Sequence, residues 1–118
     1  MNGSEKQVKW AEDIKAETAR KIVTYRDHYQ ARYEQRGIAA DDPRWENIAN
    51  ADAALAYMEQ QQESKWFIDN LRNFGKTYEE APGAMGFATN LVDEGMRATE
   101  LINGLARQAA RRAARQAA

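Results

Sequence analysis

Hydrophobic positions in the first third of the chain recur at steps of three and four residues, the period of one face of a helix. Ser4 and Gln7 have the spacing of a capping box at its start, and Gly37 can adopt the left-handed conformation that ends a helix. We therefore expect a first helix over residues 5–36, about 48 Å long at 1.5 Å per residue. Such a helix is long for a compact domain, so we expect it to bend or to pack on a partner. Its apolar stripe comprises Val8, Ala11, Ile14, Thr18, Ile22, Tyr25, Tyr29 and Tyr33.

Capping signals divide the middle of the chain into two shorter helices. Asp42 before Pro43 is a typical helix start, because the carboxylate caps free N–H groups and proline suits the first helical position. The apolar pattern fades over residues 59–64, where we predict a break, with Ser64 capping a third helix. Gly75 ends this helix and opens a loop rich in glycine and proline.

A fourth helix is predicted over residues 86–116. Gly95 and Gly104 lie inside it, and each costs about 1 kcal/mol relative to alanine. They mark either a close approach between helices or tolerated surface positions. The expected buried face comprises Phe87, Leu91, Ala98, Leu101, Ile102, Leu105 and Ala109.

These elements predict an all-α fold, a small bundle of about four helices whose first and last members are long. No stretch alternates like a strand, and no internal repeat is visible. We expect one domain over residues 1–118, with 107–118 as a solvated, fraying helix end. The three tryptophans lie in or beside apolar stripes and are expected in the core: Trp10, Trp45 and Trp66.

The net charge of −1 conceals an uneven distribution. Residues 1–40 carry eight basic and six acidic groups, residues 41–100 carry five and twelve, and residues 101–118 carry four and none. The middle therefore has a charge of −7 and the C-terminal segment a charge of +4, an asymmetry that concerns partners rather than fold. No apolar run is long enough to span a bilayer, and no signal peptide is visible, so we expect a cytoplasmic protein without a membrane partner.

Few residues offer catalytic or metal-binding chemistry. Cysteine is absent, and His28 is the single histidine, which we expect on the surface of the first helix. The acidic pairs 41–42, 79–80 and 93–94 do not converge, because neighbours on a helix point about 100° apart. We read Asp42 as a cap, and Asp93 and Glu94 as part of a solvated face. No catalytic, cofactor-binding or metal-binding residues are predicted, and we expect no enzyme.

Two short elements carry a family resemblance. Residues 3–15 contain Lys6, Gln7, Trp10 and Ala11, and residues 64–72 contain a Trp-Phe-Ile-Asp run. Together they resemble a group of small bacterial proteins, some from phage or mobile-element contexts. The resemblance implies a bacterial, phage-associated origin and no particular activity.

Two features are candidate partner-binding sites. Tyr25, Tyr29 and Tyr33, flanked by arginines, form a ladder that suits core packing, a protein interface or the stacking of single-stranded bases. The C-terminal segment "RQAARRAARQAA" carries four arginines: Arg107, Arg111, Arg112 and Arg115. All except Arg112 recur at a spacing of four residues. As phosphate contacts, four arginines predict a log–log salt slope of about −3.6, which is typical of weak, sequence-independent binding.

These features predict a non-enzymatic protein–protein interaction module, encoded by a phage or mobile element and acting on a host or defence component. A second copy of the chain is one expected partner, forming a homodimer. The alternative is a nucleic-acid-associated module that uses the arginine-rich last helix and the Tyr/Arg face of the first.

Overall fold

The computed structural model describes residues 1–82 and 90–117. Within them the chain is all-α, as predicted, and holds four α-helices without a β-strand. Helix α1 spans Glu5–Gln35, α2 Glu46–Glu59, α3 Ser64–Leu71 and α4 Leu91–Ala117. A 3₁₀ turn over Pro43–Trp45 leads into α2, and a second over Arg72–Gly75 follows α3. No helix in these residues combines the length and apolar character that crossing a bilayer requires.

The ends of α1 confirm the capping prediction. The Ser4 hydroxyl accepts a hydrogen bond from the Gln7 backbone N–H, and the Gln7 side chain accepts one from the Ser4 N–H. At the other end, Gly37 has a φ of 64° and Ile38 N–H donates to the Tyr33 carbonyl, which closes the last turn. The predicted stripe is buried except at Val8 and Tyr29, which are half-buried.

The segment between α1 and α3 is also close to its prediction. Asp42 caps the turn before α2 by accepting a hydrogen bond from the Arg44 N–H, and hydrogen bonds from Arg44 lower the pKa of Asp42 to about 2. Ser64 is a correction, because it is the first residue of α3 and its side chain caps nothing. It is buried against Gly3 instead, and its N–H donates to the Asn2 carbonyl.

Helix α4 begins later than predicted. Asn90 precedes the helix and accepts a hydrogen bond from the Asp93 N–H, so α4 starts at Leu91. Residues 86–89 of the predicted helix, with Phe87 among them, lie outside the described residues. Of the other expected core positions, Ala98 and Ile102 are fully buried and Leu91 and Leu105 half-buried.

Two expected core residues of α4 are exposed, and one expected surface residue is buried. Leu101 is 40% exposed and lines a surface cleft with Asp69 and Phe74, and Ala109 is exposed because the bundle ends before it. Glu94, which we expected on a solvated face, is fully buried. Gly95 and Thr99 join it on the face that contacts α1 and α2.

Helix α1 is the centre of the bundle, since α2, α3 and α4 all pack against it. Its closest approach to α4 is at Gly95, where a Cβ atom would overlap the Lys21 carbonyl oxygen and lie 2.6 Å from Tyr25 Cβ. The close-approach interpretation is therefore right for Gly95. Gly104 is the tolerated position, since the nearest atom to a Cβ there would be a guanidinium nitrogen of Arg107 at 3.8 Å.

A buried ion pair joins α1 to α4 beside this contact. The Lys21 ammonium lies 3.1 Å from Glu94 Oε1, and both side chains are 0% exposed. The same ammonium donates hydrogen bonds to the carbonyl oxygens of Phe74 and Lys76, so it also holds the turn after α3. Because a buried charge is tolerated only with such partners, this cluster fixes how three elements meet.

Candidate functional site

The tyrosine ladder packs mainly within the fold. Tyr25 and Tyr33 are each 6% exposed, and only Tyr29 between them is half-buried. The Tyr25 and Tyr29 rings pack edge to face with centroids 5.3 Å apart, and the Tyr29 and Tyr33 rings are tilted by 45° with centroids 5.8 Å apart. Tyr33 also contacts the Trp45 ring, and its hydroxyl accepts a hydrogen bond from Asn47. Of the three tyrosines, only Tyr29 keeps surface that a partner could contact.

The arginines beside the ladder do not restore a base-stacking surface. The Arg26 guanidinium donates to both carboxylate oxygens of Asp52 on α2 and to Gln30 on its own helix. These contacts hold α1 to α2 at the surface. A single-stranded nucleic acid would need consecutive open rings, whereas Tyr25 and Tyr33 are buried and only Tyr29 between them is partly exposed.

His28 lies exposed on α1, as expected, and its ring packs nearly perpendicular to the Tyr29 ring with centroids 5.0 Å apart. In residues 1–82 and 90–117, no three His, Asp or Glu side chains are placed to hold a metal ion.

A small polar cleft of about 170 Å³ separates α4 from α1 and α2. Three of its polar side chains donate hydrogen bonds within the protein: Asn103 to the Asn50 carbonyl, Thr99 to the Gly95 carbonyl and Asn47 to the Tyr33 hydroxyl. Burial, and then the neighbouring Tyr33, Tyr29 and Glu100, raise the pKa of Tyr25, which therefore stays a neutral hydroxyl at physiological pH. The cleft lies where α4 meets α1 and α2.

The tryptophans depart from their prediction. Trp10 is 46% exposed, and Trp45 and Trp66 are half-buried, so none of the three is a fully buried core residue. The guanidinium of Arg72 lies 5.7 Å from the centre of the Trp10 ring, which is cation–π range. Trp66 packs edge-on against Tyr57 and Phe67.

The most unusual feature is the end of α4, residues 107–117, which we call the C-terminal arm. Every residue of the arm is exposed, although the helix continues without interruption. The bundle therefore ends near Ala106, the last residue of α4 that is partly buried. About 16 Å of helix extends beyond it, at 1.5 Å per residue.

The arm has two chemically different faces. At 100° per residue, its alanines fall on one side and its arginines and glutamines on the other. The alanine side continues the core-facing stripe of α4, because Ala98 and Ile102 lead to Ala106, Ala109 and Ala113 at steps of three and four. A face that is buried inside the bundle thus runs on, unpartnered, outside it.

The four arginines of this segment are not equivalent. Arg107 lines the polar cleft, and its guanidinium reaches back over Gly104. Arg111, Arg112 and Arg115 lie beyond the bundle, and none of them forms an ion pair within the described residues. Three free cations on a projecting helix are therefore the strongest candidate site of the molecule.

Comparison with known proteins adds no relationship. The chain matches no protein-family model, no curated protein and no solved structure at the significance that we required. The resemblance of residues 3–15 and 64–72 to phage-associated bacterial proteins stays a prediction, and function has to be inferred from the molecule's own surface.

Proposed function

We propose that the chain is a non-enzymatic interaction module that docks onto an acidic protein surface through its C-terminal arm. The observation that carries the proposal is the arm itself, an exposed helix with an alanine face that continues the core stripe and an opposite face of free arginines. A helix that lays its apolar face in a groove, with charges at the rim, is a recurring mode of protein recognition.

The choice of an acidic partner follows from the charge of the arm. Arg111, Arg112 and Arg115 are exposed and form no ion pair with any residue that the structure describes, and the arm contains no acidic residue. A complementary acidic surface would steer the arm and fix its register, while the alanine face would supply a close contact between helices. Such a surface can belong to a host or defence protein, which the resemblance favours, or to a second copy of the chain.

Nucleic acid is the alternative partner, and the same arginines favour it. Three phosphate contacts correspond to a log–log salt slope of about −2.7, and affinity then falls about 40-fold between 50 and 200 mM salt. The middle of the chain, with twelve acidic and five basic residues, opposes this binding. The alanine face would also stay unpartnered on a phosphate backbone, so we rank a protein partner first.

Site-specific photocrosslinking in the cells that encode the protein tests the proposal. A photoreactive amino acid at Gln116, at the edge of the alanine face, is expected to form an adduct that protease digests and nuclease does not. The matched control is Gln35, which is equally exposed but lies at the end of α1.

The adduct at Gln116 should disappear when Arg111 and Arg115 are both replaced by alanine. Alanine has the highest helix propensity, so these replacements remove charge without breaking the arm. A nuclease-sensitive adduct would instead establish the nucleic-acid alternative. Equal labelling at Gln116 and Gln35 would show that the arm docks nothing.

A further inference from the structure

We propose that the arm binds a second copy of this chain, and that it lies along the outer face of that copy's α2. This inference rests on the proposed function of the arm and names its partner. The partner surface has to match the arm in length, carry the opposite charge and have small side chains at its centre. Helix α2 has all three properties.

Helix α2 is the one described helix without a basic residue. Glu46, Asp52 and Glu59 give it three negative charges, and no lysine or arginine lies between residues 46 and 59. The arm has the reverse composition, three free arginines and no acid. The charges of α2 and the arm are therefore opposite without exception, whereas residues 41–100 as a whole contain both signs.

The acidic groups of α2 remain accessible to a partner. Glu46 is exposed. Asp52 contacts Arg26, and Glu59 contacts Lys15, yet their side chains keep 53% and 70% of their surface in solvent. Their carboxylates can therefore accept further hydrogen bonds from arginines at the rim of an interface.

The outward surface of α2 suits close packing by another helix. Its inner residues Ile48, Ala51, Ala54 and Met58 are buried in the bundle. The centre of the opposite face carries only methyl side chains, at Ala49, Ala53 and Ala56, all exposed. Acidic residues flank this centre on both sides, as arginines flank the alanines of the arm.

The arm does not cover this surface of its own chain, since residues 107–117 and the three alanines of α2 are all exposed. Helix α4 contacts α2 before the arm begins, where Asn103 donates a hydrogen bond to the Asn50 carbonyl. A second copy can use both elements at once, because its own arm can bind the first copy's α2 in return. Two equivalent contacts then close a symmetric dimer, the commonest form of assembly.

Two reciprocal contacts between the arms and the α2 helices also increase the area that the dimer buries. One contact between two short helices is small beside the roughly 800 Å² per partner of a standard interface. Two contacts in the same dimer act together, since forming the first makes the second intramolecular.

Charge reversal combined with sedimentation equilibrium tests the inference. The intact chain, of 13.4 kDa, is expected to reach twice that mass as its concentration rises. The arm variant Arg111→Glu/Arg115→Glu should stay monomeric, with self-affinity reduced by more than about tenfold, because like charges then face each other. The α2 variant Glu46→Arg/Glu59→Arg should also stay monomeric. All four positions are exposed, and circular dichroism should show an unchanged helical fold.

Mixing the two variants is the decisive step. The reversed arm then meets the reversed α2, and the natural arm meets the natural α2, so an equimolar mixture should form a heterodimer of about twice the mass of either variant alone. An intact chain that stays monomeric, or a dimer that both variants leave unchanged, would overturn the inference. If the intact chain is monomeric while Gln116 still crosslinks to a different protein, the proposed function stands and this choice of partner fails.

Discussion

Replacing Lys21 by methionine is expected to destabilise the protein by about 3–5 kcal/mol, because it leaves the Glu94 carboxylate buried without its counter-charge. Lys21 and Glu94 are both fully buried, and the ammonium lies 3.1 Å from Glu94 Oε1. The carbonyl oxygens of Phe74 and Lys76 lose a donor as well. Urea unfolding followed by circular dichroism measures the loss as a lower midpoint.

Lys15→Met is the matched control for this effect. Lys15 lies on the same helix and contacts Glu59 at a similar distance, 3.1 Å, but the Glu59 side chain is 70% exposed. A surface pair of this kind contributes about 0–1 kcal/mol. The double variant Lys21→Met/Glu94→Met should be more stable than Lys21→Met, because no unpaired charge remains. A loss below about 1 kcal/mol for Lys21→Met would contradict the buried pair.

Replacing Gly95 by alanine is expected to destabilise the protein by about 1–3 kcal/mol, although alanine is the better helix former. The new Cβ would overlap the Lys21 carbonyl oxygen and lie 2.8 Å from the Lys21 carbonyl carbon, so α1 and α4 must separate. Backbone atoms cannot change rotamer to make room, and the separation also disturbs the ion pair beside them.

Gly104→Ala is the control, with the same substitution in the same helix and the opposite expected sign. A Cβ there meets nothing closer than the Arg107 guanidinium at 3.8 Å. This variant should therefore gain up to about 1 kcal/mol from helix propensity. Thermal unfolding of the two variants beside the parent gives the comparison, and equal shifts for both would show that the helices do not approach closely at Gly95.

Periodicity and caps are local signals, and they predicted most of the fold. The stripe of α1 and its capping box follow from spacing alone, and both are present. The stripe of α4 was less well predicted, because a face of Ala98 and Ile102 gives no indication of where the bundle ends. The exposure of Ala109 depends on the lengths of α2 and α3, which are not encoded near Ala109 itself.

Buried charges are the clearest limit of sequence reasoning here. Lys21 and Glu94 look like solvated residues, since lysine and glutamate are rarely buried unless they are paired. Their partners are far away in the chain, on α1, on α4 and in the turn after α3. One signal was present in the sequence, because Lys21 and Glu94 both lie next to core positions, at Ile22 and Gly95.

The candidate site was only partly visible in the sequence. The arginines of the last helix stood out by their spacing, and the structure separates Arg107, which folds back over Gly104, from the three beyond it. The tyrosines stood out equally, but Tyr25 is buried beside Gly95 of α4, and Tyr33 is buried and contacts Trp45 and Asn47. The sequence did not indicate the outer face of α2 as a binding surface, because exposed alanines alone do not suggest a partner.

The central claim is that the C-terminal arm serves binding and not folding. The most direct measurement is the free energy of unfolding of a chain that ends at Ala106, compared with the full chain at a concentration low enough to prevent association. Residues 107–117 are all exposed, so the two values should agree within about 0.5 kcal/mol. A loss of more than about 1–2 kcal/mol would contradict the claim, because the arm would then be stabilising its own bundle.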